Sequence, residues 1–351
     1  MKPVIVFGGY GTFGAHVARE LARMGHAVTI AGRDRRKAEA AARALGPRHR
    51  GVAADVTIAE SCRAALAGHA VAVSCAGPFS ALGEALLREC VAARCHYADL
   101  ADDRAHAARV RGWSGAFRDA GLTAAYGCSS LPGLSGALAL LAREGTPMPP
   151  RGARVTLFIG NANPKGMAAV RSAAEVIGRP IAAPQGTLHG FADPETVALP
   201  PPFGRRTVLN FDGAEYDLFP PLLGVSSVAV KVGFELPAAR LAFAALGALP
   251  SRHRPRATRL LIALGSPTRR LGRSGGAVLV ELTWPDGTAR RAALACEEKG
   301  QRMAALPCAL AAAALASGNR VRPGAATAYE LLGHRELLQA MAASGFPVTG
   351  A

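Results

Sequence analysis

Lysine is scarce in this chain: Lys2, Lys37, Lys165, Lys231 and Lys299 are the five among 41 basic residues. The formal net charge of +16 therefore rests on arginines scattered among alanines and glycines. That is a bias toward arginine over lysine, and no helix-turn-helix, zinc or RNA-binding signature accompanies it, so nucleic acid is not expected as a partner. The seven cysteines are odd in number and form no Cys-x-x-Cys pair, which argues against a disulfide framework or a structural zinc site; no metal is expected. No apolar run reaches the roughly 18 residues of a membrane span. The best candidate, Met303 to Ala316, is too short and contains Pro307. The amino terminus runs straight into an apolar strand without a signal-peptide pattern, so a cytoplasmic protein is expected. With 351 residues, 50% of them hydrophobic and 19% charged, the chain is globular and long enough for two or three packed units.

What is present is concentrated at the beginning. Pro3 to Phe7 is a short apolar run suited to a parallel strand buried on both faces. Gly8, Gly9, Tyr10, Gly11, Thr12, Phe13 and Gly14 follow, and then an alanine-rich amphipathic helix from about Ala15 to Met24. Gly25 and His26 end the helix, and Ala27 to Ile30 reads as a second strand. Gly9, Gly11 and Gly14 fit the G-x-G-x-x-G pattern of a dinucleotide site: a tight turn, a backbone that can approach the pyrophosphate, and close packing of helix on strand. The positive end of the helix would face the phosphates. In a chain with 40 glycines the pattern alone says little, but its placement between a buried strand and a helix is specific.

The second strand exits through Ala31, Gly32 and Arg33. An NAD(H) site calls for a carboxylate there, whereas Arg33, with Arg35, Arg36 or Lys37, could hold a 2′-phosphate. NADP(H) is therefore favoured over NAD(H), with Asp34 as the carboxylate that a shift of one residue would bring to the ribose. Val52 to Asp55 reads as a third strand whose Asp55 could meet the adenine edge. Val71 to Ser74 reads as a fourth, ending in Cys75, Ala76, Gly77, Pro78 and Phe79, a turn of small residues that leaves room for the nicotinamide ribose. Cys75 reads as a small core residue rather than a nucleophile.

Five blocks, GGYGTFG, AGRD at Ala31 to Asp34, AGPFSALGEAL at Ala76 to Leu86, HYADLADD at His96 to Asp103 and GCSSLPGLS at Gly127 to Ser135, together resemble the saccharopine dehydrogenase-like oxidoreductases. The resemblance implies an α/β protein: an amino-terminal Rossmann parallel sheet, a second α+β domain with a mixed or antiparallel sheet, and carboxyl-terminal helices packing back on the Rossmann domain. The expected boundaries are 1–148 for the nucleotide domain, 149–300 for a substrate and dimerisation domain, and 301–351 for the returning helices. Independently, Ala277 to Thr283 and Thr288 to Cys296 alternate as strands around a Trp284 to Gly287 turn, a hairpin signal. Helix signals return from Met303 to Ser317 and from Ala325 to the end. From about Val155 to Arg273 the resemblance thins, so it names no substrate.

Hydride transfer needs an acceptor held over the nicotinamide and a proton donor. Tyr97 and Asp99 after the fifth strand, and Ser129 and Ser130 after the sixth, are candidates for the substrate rim; the plainer readings are a loop or helix cap for Asp99 and an N-cap for the serines. Lys165 and Lys231 are candidate general acids, because a desolvated lysine can release a proton near neutral pH, against the plainer reading of solvated side chains. None of the five tyrosines has a lysine four residues on, which disfavours a short-chain dehydrogenase. The function expected is an NADP(H)-dependent oxidoreductase acting on a carbonyl, imine or activated double bond of a small-molecule or lipid-like substrate, with a homodimer allowed. A dinucleotide-binding sensor without turnover is the alternative. The apolar stretch Pro220 to Leu249 reads as core helix ahead of a lipid tunnel or docking face.

Overall fold

The structure is a computed structural model that describes residues 3–164, 176–236, 246, 256–257 and 271–350. It divides into two compact units, residues 1–133 with 304–337, and residues 134–303 with 338–351.

The first unit alternates strand and helix: β1 (Val4–Phe7), α1 (Gly14–Arg23), β2 (Val28–Gly32), α2 (Arg35–Leu45), β3 (Arg50–Ala53), α3 (Ala59–Leu66), β4 (Val71–Ser74), α4 (Ala85–Ala92), β5 (His96–Asp99), α5 (Arg104–Gly112), α6 (Ser114–Asp119) and β6 (Thr123–Tyr126). β1, β4 and β6 are buried at every position, most of their side chains being apolar on both faces. The strand Gly324–Thr327 completes a seven-stranded sheet in the order Gly324–Thr327, β6, β5, β4, β1, β2, β3, all parallel. The order reverses between β1 and β4, and the crevice at the carboxyl ends of strands flanking such a switch is where open α/β sheets bind ligands. β3 begins two residues earlier than the sequence pattern suggests. A Cβ on Gly51 would lie 2.2 Å from the amide nitrogen of Glu39, so only glycine lets β3 pack this closely on α2, and Asp55 falls beyond the strand.

In the second unit α7 (Ser135–Arg143) precedes β7 (Gly152–Ile159), the hairpin β8 (Pro180–Ala183) and β9 (Gly186–His189), then β10 (Glu195–Ala198), β11 (Arg205–Asn210), α8 (Glu215–Leu223), β12 (Ser227–Phe234), β13 (Gly276–Thr283) and β14 (Ala289–Cys296). The sheet runs β10, β11, β12, β7, β13, β14, Val348–Gly350, mixed because β12 and β7 are parallel while the other neighbours are antiparallel. The hairpin expected at Trp284 to Gly287 is present in full register. α7 packs on β13 and β14, and α8 on β12. A cluster of Phe158, Val197, Leu199, Phe203, Val208, Ala277, Leu279 and Ala293 forms a separate apolar core.

Two expectations differ from this arrangement. The first unit ends at Gly133, before the expected 148, because α7 buries its apolar face on the second sheet. Of the carboxyl-terminal segment, 304–337 folds with the Rossmann sheet and 338–351 with the second unit. Within it, Gly324–Thr327 is a strand and not helix: pairing with β6 overrides the helical preference of its alanines. Thr327 then starts a short helix, Ala328–Leu332, through a capping box with Glu330. Among the described residues no helix is long and apolar enough to cross a membrane. Residues 237–245 and 247–249 of the apolar stretch lie outside the described residues.

Thr156, on β7 between Lys231 and Leu279 in the strand register, is 0% exposed. Its hydroxyl has no hydrogen-bond partner among the described residues. A buried, unpaired hydroxyl costs free energy that a methyl of the same shape does not. Thr156→Val is expected to stabilise the protein by about 1 kcal/mol, read as a higher urea midpoint with an unchanged slope.

Candidate active site

The site begins with the turn after β1. Gly8 has φ +72°, and a Cβ there would lie 2.8 Å from the Cys75–Ala76 backbone. At Gly9 it would meet the carbonyl oxygen of Val6 at 2.8 Å, at Gly11 that of Gly8 at 3.0 Å, and at Gly14 that of Gly8 at 2.2 Å. At Gly8, Gly9 and Gly14 the chain is therefore folded on itself more tightly than a side chain allows. The amide of Gly11 donates to Gly8 O at 2.8 Å. The amides of Thr12, Phe13 and Gly14 make no backbone hydrogen bond among the described residues. Phe13 stands at the N-cap of α1 without a side-chain cap. Uncapped N–H groups at a helix mouth, with room where Cβ atoms are missing, fit a pyrophosphate.

At the end of β2 the basic residues sort themselves. Asp34 caps α2, accepting from Lys37 N at 3.1 Å, and its other oxygen faces Lys37 Nζ at 3.7 Å. Its carboxylate, which sequence reasoning left open to an NAD(H) ribose, is committed to the helix. Arg35 pairs with Glu39 at 2.8 Å. Arg33 and Arg36 are exposed, and neither has an ion-pair partner among the described residues. Asp55, in the loop after β3, accepts from Thr57 N at 2.9 Å and Thr57 Oγ1 at 2.7 Å. These bonds, with a smaller contribution from Arg33, hold its carboxyl below the usual range.

The loops after β5 and β6 are joined by one carboxylate. Asp99 is 0% exposed; its Oδ1 accepts from Ala101 N at 3.0 Å and Gly127 N at 2.8 Å, and its Oδ2 lies 3.2 Å from His106 Nε2. Tyr97 Oη lies 3.2 Å from the same nitrogen, and Phe79, from the loop after β4, packs on the His106 ring at 5.1 Å. Burial first, and Asp99 second, push the Tyr97 phenol well above its ordinary value. Tyr97 and Asp99 thus face inward, and the expected loop cap at Asp99 is a brace spanning two loops. Burial pushes the Cys75 thiol up in the same way, with Asp99 adding to it, against its use as a nucleophile. Ala76, Gly77 and Pro78 form the turn of small residues. Ser129 and Ser130 are buried but do not cap α7; a π-type turn at Ser130–Leu134 intervenes and Leu134 takes the N-cap. Lys165 lies outside the described residues. Lys231 belongs to the second unit, 6% exposed on β12, where it donates to Asp193 O at 3.2 Å and faces Glu195 at 3.9 Å. Burial lowers its pKa, partly offset by Glu195 and Asp193.

Sequence reasoning passed over Asp102. Its neighbours are both fixed: Ala101 N is held by Asp99, and Asp103 caps α5 by accepting from His106 N at 2.7 Å. Asp102 itself has no ion-pair partner among the described residues, and burial, aided by Asp103, raises its pKa to about 6. The signal in the sequence was the crowding of three aspartates, Asp99, Asp102 and Asp103, within one strand exit.

Parallel sheet, glycine turn and uncapped helix mouth define the class, a Rossmann dinucleotide-binding fold. Residues 4–125 match the family model described as the saccharopine dehydrogenase NADP binding domain. The resemblance read from the five sequence blocks is thus shown, the cofactor is NADP(H), and the protein is an NAD(P)-dependent oxidoreductase. The apo structure of saccharopine dehydrogenase (L-Glu forming) from Saccharomyces cerevisiae, 13% identical, covers 100% of this chain and 99% of its own with a TM-score of 0.71; the likeness is one of fold. A short-chain type dehydrogenase/reductase from Mycobacterium ulcerans, 16% identical, covers 36% of this chain and 66% of its own at a TM-score of 0.30. Serine dehydrogenase from Escherichia coli, 17% identical, covers 35% and 80% at 0.29. No curated protein matches the sequence.

Because the Asp102 carboxyl is raised in the folded state, its contribution is present at low pH and is lost as pH rises through about 6. Asp102→Asn cannot titrate. The variant and the parent are expected to melt together at acid pH, while above neutrality the variant melts higher; thermal scans across pH check it.

Proposed function

We propose that the protein catalyses reversible hydride transfer between NADP(H) and a carbonyl, imine or activated double bond of a small-molecule or lipid-like metabolite. The observation that carries this reading is the group of amides at Thr12, Phe13 and Gly14, which make no backbone hydrogen bond at the mouth of α1. Those N–H groups hold the pyrophosphate. Arg33 and Arg36, without ion-pair partners at the end of β2, hold the 2′-phosphate, and the turn Cys75 to Pro78 admits the nicotinamide ribose. When bound, the nicotinamide supplies or accepts the hydride.

The protein's own task is then the proton. Asp102 stands at the carboxyl end of β5, between the loops that follow β4 and β6 in the sheet order. In the reducing direction its carboxylic acid gives a proton to the heteroatom, or to the carbon, left with the electron pair, and in the reverse direction its carboxylate takes that proton back. A carboxyl group with a pKa near 6 suits both directions near neutral pH. Tyr97 and Asp99 hold this loop in place and do not touch substrate. Lys231 is left as a buried structural cation of the second sheet.

The test is steady-state oxidation of NADPH against oxoacids, pairs of an amino acid with an aldehyde, and enoyl thioesters. Turnover with one class is expected, declining above about pH 6 as Asp102 loses its proton. Asp102→Asn should lower kcat by about a hundredfold or more with NADPH affinity retained. Arg33→Ala should weaken NADPH by about 1 to 3 kcal/mol and leave NADH unchanged. Tight binding without turnover across the panel would instead support a dinucleotide sensor.

A further inference from the structure

Tyr10 is used by nothing described so far, although it stands inside the glycine turn. Its ring lies against the end of β2 so closely that a Cβ on Gly32 would sit 2.4 Å from Cε1 and 2.8 Å from both Cζ and Oη. Gly32 has no left-handed φ to explain its identity; it is the Tyr10 ring that excludes a side chain there. The ring is thus seated on the strand exit, and its hydroxyl oxygen accepts the amide of Asp34 at 3.2 Å.

A phenol that accepts one N–H still has its own hydrogen to give. Among the described residues the Tyr10 side chain forms no hydrogen bond besides the one to Asp34 N. The hydroxyl is tied to the residue following Arg33, and Arg36 stands two further on. This is the place where a Rossmann fold meets the 2′-substituent of the adenine ribose. The carboxylate that would otherwise compete for that donor, Asp34, is turned onto Lys37.

From this we infer that Tyr10 is a specificity-determining residue for the cofactor: its hydroxyl donates a hydrogen bond to the 2′-phosphate, and Gly32 is the seat that holds the ring in position to do so. The inference rests on the placing of the 2′-phosphate at Arg33 proposed above. A phosphate oxygen accepts such a bond with charge assistance, which the 2′-hydroxyl of NAD(H) cannot match. Tyr10 and the two arginines then divide the work, directional bonding from the phenol and charge from the guanidinium groups.

The experiment measures dissociation constants of NADPH and NADH by nucleotide fluorescence for the parent and for Tyr10→Phe, Gly32→Ala and Arg33→Ala. Tyr10→Phe keeps the ring on Gly32 and removes only the hydroxyl; it should weaken NADPH by about tenfold, the value of one charge-assisted bond, and NADH by less than about twofold. Gly32→Ala, which forces the ring off its seat, should reproduce that selective loss, and should add little when combined with Tyr10→Phe. Unchanged NADPH affinity in Tyr10→Phe, or equal losses for both nucleotides, overturns the role of Tyr10 while a selective loss in Arg33→Ala leaves the phosphate subsite standing. If the parent binds NADPH and NADH alike and Arg33→Ala changes neither, the subsite itself is misplaced and the inference falls with it.

Discussion

The nucleotide unit depends on backbone packed against backbone where β1, α1 and β4 converge. Gly14 is close enough to Gly8 O, and Gly8 to the Cys75–Ala76 peptide, that no Cβ fits between them. This contact does three things at once. It sets the first helix close against the sheet, it leaves the amides of the helix mouth without carbonyl partners, and it brings the turn after β4 beside the turn after β1 at the point where strand order reverses. Free N–H groups at a helix mouth of this kind suit an anion.

A second constraint organises the other end of the crevice. Asp99 gathers the amides of Ala101 and Gly127 and faces His106, so one buried carboxylate fixes the exits of both β5 and β6. Such a group has to be fully hydrogen-bonded to be tolerated in the interior. Asp102 inherits its position from this arrangement, being flanked by a residue bound to Asp99 and by the cap of α5. Burial there, with the neighbouring Asp103 adding to it, raises the pKa of Asp102.

Much of this was legible in the residues, and what was missed has common causes. The strand, glycine turn and helix at the start, and the hairpin around Trp284 to Gly287, are local patterns whose periodicity and turn chemistry agree with the tertiary structure. The strand Gly324–Thr327 was read as helix because its alanines carry no local mark of the pairing with β6. Whether a shift of one residue brings Asp34 to the ribose is answered only by its role at the N-cap of α2, and Tyr97 and Asp99, candidates for the rim, have side chains that point into a hydrogen-bonded interior. In each case the residue type and its position along the chain were right, and the direction of the side chain, which only the fold supplies, decided the role. The second unit was least legible. Its buried polar row of Lys231, Thr156 and Asn210 follows no sequence motif.

The seventh strand of the nucleotide sheet is Gly324–Thr327, paired with β6 across almost two hundred intervening residues. While the chain is being made, the six earlier strands emerge long before it. A nascent polypeptide of two hundred or three hundred residues therefore carries β6 as an open edge, with donors and acceptors exposed to any passing strand. Completion of the dinucleotide-binding sheet is postponed until residues 134–303 of the second unit have been made, and these are held in the loop that the late strand closes.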